Sequence, residues 1–249
     1  MITNAETRTA IDEIADGIHR IHTPVELPGG QRFSFNQYLL VDDEPLLFHT
    51  GPRRMFALVR EAMAAVIPVE RLRHVAFSHT EADECGSLNE WLAAAPNAAP
   101  LCSGIAAMVS IGDLADRPPR ALADGEKLVL GRHTVQWFDT PHVPHGWDCG
   151  LLMDITSGTL FCGDLFTQGG SGEVALTESD ILGPSEAFRK PMDYYAHTPQ
   201  TRATIERLAR EAPTTLAVMH GSAWRGDGAR LLRELAAVLG TSARELAAA

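Results

Sequence analysis

His79-Thr80-Glu81-Ala82-Asp83-Glu84 decides the reading of this chain, because three residues able to coordinate a metal alternate at i, i+2 and i+4 directly after an apolar run. That run, Leu72-Arg73-His74-Val75-Ala76-Phe77-Ser78, is rich in β-formers. The ligands therefore fall in the loop where a strand ends, and such a loop can curl several side chains around one point. One imidazole with two carboxylates is a nitrogen and oxygen donor set. It suits iron, manganese or zinc and argues against a structural zinc site built from thiolates.

Three fragments further along offer the remaining ligands of such a site. Asp139-Thr140-Pro141-His142-Val143-Pro144-His145-Gly146-Trp147-Asp148 carries two histidines in a turn-rich loop after a predicted strand, Thr134 to Phe138. Both His142 and His145 are candidates. Thr159-Leu160-Phe161-Cys162-Gly163-Asp164 places a carboxylate straight after a short apolar strand and a glycine, and Leu216-Ala217-Val218-Met219-His220-Gly221 repeats the pattern with a histidine. A solvated polar loop could account for the first triplet alone, but it gives no reason for three more strand ends to carry ligands.

This ordered series resembles the metallo-β-lactamase superfamily, and the glutamate at the second ligand position narrows the resemblance to its flavodiiron and oxygen-binding di-iron branch. His79, Glu81 and Asp83 match that branch's first motif, His145 its middle histidine, Asp164 its bridging aspartate and His220 its last histidine. His145 is preferred over His142 because its relation to Asp148 resembles the branch. Gly86-Ser87-Leu88 and His220-Gly221-Ser222 extend the match, which runs from Asn36-Gln37-Tyr38-Leu39-Leu40-Val41 to about Arg225. The fold implied is an αββα sandwich of two mixed β-sheets flanked by helices. Two departures stand out. The branch commonly has histidine after the motif's aspartate, where this chain has Glu84, which is left as a ligand, a neighbour of the ligands or a residue turned away. The family's aspartate before Thr-Gly is His49-Thr50-Gly51 here, and His49 is expected to make supporting contacts.

The resemblance implies two metal ions, with iron preferred to manganese or zinc, bridged by Asp164. Three carboxylates make the site hard and anionic, which favours higher oxidation states of iron. Two metals roughly 3.5 Å apart can share a hydroxide or an oxygen molecule. The implied function is a non-haem di-iron protein binding, sensing or reducing oxygen. The chain ends too soon after His220 to carry the flavodoxin-like domain of multidomain members, so an external electron donor is expected. The alternative is a metal-dependent hydrolase of an ester, thioester or lactone, in which Asp164 or Glu84 assists proton transfer and Tyr194 or Tyr195 polarises the carbonyl.

At 249 residues with 45% hydrophobic content the chain is expected to form one domain, residues 1–249. It contains no run of eighteen apolar residues, and Met1 to Ala10 is polar, so neither a membrane span nor a signal peptide is indicated. A formal net charge of −11 without a basic stripe excludes nucleic acid as a partner. Cys85, Cys102, Cys149 and Cys162 lack zinc-like or CxxC spacing, which fits a reducing cytoplasm. Cys85 and Cys162 adjoin candidate ligands, leaving a redox role open. His19, His22, His74, His133 and His197 read as surface or packing histidines, and association into a homo-oligomer is left open.

Predicted strands cover Ile18 to His22, Phe35 to Val41, Glu44 to Phe48 and Arg73 to Phe77, with a helix from Arg54 to Val66. Helices are also predicted at Glu84 to Ala94 and Ser103 to Met108. A second series has strands at Lys127 to Leu130, Thr134 to Phe138, Cys149 to Ile155, Thr159 to Cys162 and Leu216 to Val218, and helices at Pro199 to Glu211 and Ala229 to Leu239. Two half-series of this kind suit two packed sheets with helices outside. The closing alanines are expected to fray. Residues 167–197, rich in glycine and proline and leaving directly from Asp164, read as an irregular lid with Phe188, Met192, Tyr194 and Tyr195 at the pocket mouth.

Overall fold

The central strands of the first half carry nearly continuous buried runs, Tyr38 to Leu40 and Leu46 to Phe48 among them, so both of their faces are covered. In the computed structural model, which describes the backbone of residues 1–248 and the side chains of residues 1–240, this half forms eight strands in sequence order. These are β1 (Ile2–Asn4), β2 (Thr9–Ala15), β3 (Ile18–Glu26), β4 (Arg32–Leu40), β5 (Leu46–Phe48), β6 (His74–Ala76), β7 (Ala99–Ser103) and β8 (Arg120–Leu122). Pairing is antiparallel from β1 to β5 and parallel from β5 to β8. The parallel part needs crossovers. Helix α1 (Phe56–Ala64) supplies one, and α2 (Ala82–Cys85) with α3 (Leu88–Ala94) supplies the next.

The second sheet joins β9 (Lys127–Val129), β10 (Thr134–Asp139), β11 (Gly150–Asp154) and β12 (Thr159–Gly163) as antiparallel neighbours. Beyond β12 lie β14 (Thr215–Val218), parallel to it, then β15 (Ala223–Arg225) and β13 (Leu176–Thr177). Between β7 and β8 of the first sheet the chain forms α4 (Gly104–Ala106) and α5 (Gly112–Leu114) with a π turn, Ala107–Ile111, between them. Then follow α6 (Leu182–Met192), α7 (Thr201–Arg210) and α8 (Gly228–Ala248).

Three apolar layers explain why both faces of each sheet are apolar. Tyr38, Leu40, Leu46, Phe48 and Ala76 point between the sheets against Trp137, Leu152, Phe161 and Ala217. Their neighbours one residue away, Leu39, Leu47 and Val75, point outward to Val59, Met63 and Trp91 of α1 and α3. On the far side Leu160, Cys162, Leu216 and Val218 meet Ile205, Leu208, Leu232 and Leu235 of α7 and α8. This period of two is what the strands require, and the result is two mixed β-sheets packed face to face with helices outside, as expected.

Several elements differ from expectation. Strands β1, β2, β7, β8, β13 and β15 are additional, and the predicted helix at Glu84 to Ala94 is broken at Gly86-Ser87 into α2 and α3. Residues 167–197 are not irregular throughout, since α6 forms there. Its Gly183-Pro184 lies in the first turn, where the missing N–H is tolerated, and Pro191 lies in the last turn. The Asp180 carboxylate accepts from the Leu182 and Gly183 N–H groups, and a buried i,i+3 pair of Glu186 with Arg189 braces the helix from within. The expected fraying of the closing alanines lies beyond the described side chains. Among the described residues no helix is long and apolar enough to cross a membrane.

Candidate metal centre

Four strand ends converge on one edge of the sandwich. Strand β6 stops at Ala76, and the chain continues through Phe77 and Ser78 to His79 before turning into α2, which carries Asp83 and Glu84. The β10–β11 loop brings His145, the end of β12 brings Asp164, and the end of β14 brings His220. Gly163 makes the turn to Asp164 at a φ of +52°, and a Cβ there would stand 3.0 Å from the Ser78 hydroxyl. Close approach of two ligand-bearing segments is the reason for that glycine.

Asp164 lies at the middle, and its two oxygens face different partners. Oδ2 is 3.6 Å from His79 Nε2 and 3.4 Å from His145 Nε2, while Glu81 Oε1 is 3.1 Å from the same atom of His145. Oδ1 is 3.2 Å from His220 Nε2, which is also 3.3 Å from Asp83 Oδ2. These are short distances without hydrogen-bond alignment, for His79 Nε2 and Asp164 Oδ1 have no hydrogen-bond partner although both are buried. Buried polar atoms are normally satisfied, and atoms that converge without bonding each other are arranged for something between them. The donor set of three imidazoles and carboxylates fits one or two divalent cations.

The charges point the same way. Burial opposes a charged ring at His79, yet Cys149, Glu81 and Glu84 outweigh it and hold its pKa at about 12. His220 is also opposed by burial but lifted to about 9 by Asp164 and Asp83. Against its own burial, Asp83 is held at about 2 by His220, and His145 and His79 hold Glu81 well below the usual carboxylate range. Asp164 is lowered as well, with His220 and His79 overcoming burial. Glu84 goes the other way. Burial first, then Asp164 and Asp83, push it well above its ordinary value. A cluster that holds protons so tightly on its imidazoles is one that calls for positive charge.

The supporting contacts fix which ring nitrogen faces inward. His220 Nδ1 donates to the Ser34 carbonyl at 2.8 Å, leaving Nε2 for the centre. His79 Nδ1 is 2.9 Å from the Ser78 hydroxyl, which is 3.0 Å from Nε2 of the buried His49. His49 thus makes the supporting contacts expected of it. Asp148 accepts from the N–H of Thr80 at 3.0 Å and from its hydroxyl, tying the His145 loop to the His79 loop. Ligand orientation by such neighbours is general in metal sites. Ser34, Ser78 and the rings of Phe33 and Phe35, which pack on His220 with centroids 4.4 and 5.3 Å away, carry no spacing signal and were not singled out in the sequence. The same holds for Arg20, whose guanidinium donates to the Gly172 and Gly221 carbonyls and straps the His220 turn to the segment after Asp164.

Of the two loop histidines, His145 reaches the centre and His142 is exposed. Glu84 is fully buried beside Asp83 and His220 on one side and His79 and Asp164 on the other. A cavity of about 530 Å³ opens over the cluster, lined by Phe33, Phe35, Phe188, Met192, Tyr194 and Arg54 among others. Tyr195 does not line it, being 4% exposed in the core under α7. Tyr194 does, but its hydroxyl donates to the Asp164 carbonyl at 3.1 Å, while the Tyr195 hydroxyl, although without a hydrogen-bond partner, is buried away from the cavity, so neither tyrosine presents a free hydroxyl to it. Burial also pushes the Cys85 thiol up to about 12 and Cys162 higher still, which leaves the redox reading of these thiols without support. His133 is paired with Asp154 in the core at 2.8 Å, and His197 lies at the surface.

Comparison with known proteins accords with this geometry. The family model described as ODP family beta lactamase matches residues 33–221. Rubredoxin-oxygen oxidoreductase of Megalodesulfovibrio gigas is 28% identical over 204 residues, 78% of this chain and 50% of that protein. The anaerobic nitric oxide reductase flavorubredoxin of Pectobacterium atrosepticum is 24% identical over 81% of this chain and 41% of its own length. The chain therefore spans half or less of these relatives. Among solved structures, the 1–254 fragment of putative diflavin flavoprotein A 5 from Nostoc superposes with a TM-score of 0.80 at 15% identity, covering 97% of this chain and 98% of that one.

Proposed function

The chain belongs to the ODP family beta lactamase group, and on that premise we propose that it is a non-haem di-iron protein that binds or reduces oxygen at a carboxylate-bridged dinuclear centre. The observation that carries this reading is Asp164, whose two carboxylate oxygens face two separate sets of donors. His79, Glu81 and His145 would hold one ion with Oδ2, and Asp83 and His220 would hold the other with Oδ1. An iron pair held there would supply redox chemistry and open positions for a diatomic ligand. Relatives named for oxygen and for nitric oxide reduction make both diatomics candidates for this chain.

The protein's own contribution is positioning and the surface around the site. Ser34 and Ser78 hold the Nε2 atoms of His220 and His79 inward, while Phe33, Phe35 and Phe188 give the cavity over the centre an apolar lining. Residues 167–197 supply Phe188, Met192 and Tyr194 to the mouth and in this reading regulate access, with electrons arriving from an external donor.

The size of the cavity favours a second reading. About 530 Å³ is far more than a diatomic gas occupies, and an apolar chamber of that size suits an organic ester, thioester or lactone. In a hydrolase of this kind Tyr194 would first have to leave the Asp164 carbonyl. The deciding experiment is metal analysis of protein purified without added metal, with oxygen consumption after anaerobic reduction. Bound iron and rapid oxygen uptake sustain the di-iron reading, whereas zinc, indifference to oxygen and ester hydrolysis sustain the other.

A further inference from the structure

Glu84 has no partner that explains its place. Its side chain is 0% exposed and neither carboxylate oxygen has a hydrogen-bond donor beside it. Burying a carboxylate without compensation is among the costliest arrangements a fold can hold, and a residue kept for packing alone would be apolar. The backbone leaves it little choice of direction, since Glu84 sits inside α2 and its carbonyl accepts from the Thr50 N–H at 2.8 Å. From there one carboxylate oxygen lies within 4.8 Å of ligand atoms of Asp83 and His220, and Glu84 also groups with His79 and Asp164 within the same limit.

We propose that Glu84 is a metal ligand that completes the subsite of Asp83 and His220, and that it makes the two subsites chemically unequal. The inference rests on the dinuclear reading above. The donors on the Oδ2 side of Asp164 are His79, Glu81, His145 and Asp164 itself, two nitrogens and two carboxylates. On the Oδ1 side Asp83, His220 and Asp164 amount to only three residues. Glu84 brings that side to four, with one nitrogen and three carboxylates. It also raises the carboxylates of the centre from three to four, so that their charge balances two divalent ions. Hard oxygen donors suit manganese and iron, whereas nitrogen donors suit zinc, so the mixed-donor subsite takes zinc and the carboxylate-rich one takes manganese when both are offered.

The test is metal binding, separate from any activity. Apo-protein is titrated with Mn(II), with Zn(II) and with an equal mixture, and metal per chain is counted for the parent, Glu84→Gln, Glu84→Ala and Glu84→His. The parent should bind two ions. Glu84→Gln and Glu84→Ala should weaken the second by at least about a hundredfold, and Glu84→His should restore it while moving its preference from manganese to zinc. Anomalous scattering at the two metal edges from parent crystals grown in the mixture should place manganese beside Glu84. This measurement needs no variant to fold. Retention of two ions in Glu84→Gln or Glu84→Ala within about threefold of the parent affinity, or a Glu84 carboxylate remote from both ions in the loaded crystal, overturns the role of Glu84. A parent that binds fewer than two ions overturns the dinuclear reading instead, and this inference with it.

Discussion

Metal binding should depend steeply on pH, and the structure sets how steeply. An ion at Asp83, His220 and Asp164 must take the place of the proton on His220 Nε2, because Nδ1 is committed to the Ser34 carbonyl. In the apo-protein His220 has its pKa lifted to about 9. The proton-free fraction then rises from about one in a thousand at pH 6 to about one in ten at pH 8, a hundredfold gain in apparent affinity or about 2.8 kcal/mol. The gain should level off above pH 9. His79, held at about 12, adds a second tenfold per pH unit for the ion it binds and should show no plateau in the accessible range. The assay is competition of Mn(II) with a chelator of known affinity at fixed ionic strength from pH 6 to 9, fitted for two ions. An affinity that changes by less than about threefold between pH 6 and 8 would refute the idea that protons and metals compete for the same imidazole nitrogens.

The same groups make the apo-protein lose stability across a defined window. A pKa of His220 raised above 6.5 contributes stability that is fully present below 6.5 and lost as pH rises through about 9, so the apo melting temperature should fall over that range while that of the metal-loaded form does not. Phe161→Ala removes a ring packed between the sheets against Tyr38 and Phe48 at 5.7 and 5.1 Å, and chemical denaturation should register a loss of about 3–5 kcal/mol. Gly163→Ala forces a Cβ to 3.0 Å from the Ser78 hydroxyl that orients His79, so metal affinity should drop at least about tenfold; Gly125→Ala, also at a positive φ but without a close contact and remote from the site, should leave it unchanged. Phe188→Ala breaks the stack on Phe33 at 5.4 Å and should alter oxygen uptake while both metals stay bound, as followed by an oxygen electrode and elemental analysis.

Sequence patterning revealed the elements whose apolar period was long enough to be read and missed those that tertiary packing imposes. Strands β4, β6, β10, β11, β12 and β14 carry alternating or continuous apolar residues and lie close to their predicted positions. Strand β2, by contrast, interleaves Thr9, Asp12 and Glu13 with Ile11 and Ile14, and only pairing with β3 makes a strand of it. Strands β7 and β8 are short and extend the sheet beyond β6, β7 on β6 and β8 on β7, through parallel pairing, which has no local signature. Helix α6 was hidden by its own prolines. Gly183, Pro184 and Pro191 read as loop residues, yet each occupies a terminal turn where it does little harm.

The site divides along the same line between local spacing and distant contact. Candidate ligands at strand ends announce themselves by residue type, which is why His79, Glu81, Asp83, Asp164 and His220, which the structure brings together, are legible in the sequence. The relation of His145 to Asp148 already favours it over His142 in the sequence, and in the structure His145 lies among the candidate ligands while His142 is exposed. Ser34 lies 186 residues from the His220 ring it orients, and Arg20 straps a turn 201 residues away, distances along the chain at which no motif operates. Glu84 is the informative case between these. Its position after Asp83 marked it as a departure, but a departure in sequence could equally have meant a lost ligand. Burial is what supports the proposed use, because a carboxylate that had merely replaced a ligand would have every reason to turn toward water or find an arginine, and Glu84 is fully buried with neither oxygen hydrogen-bonded.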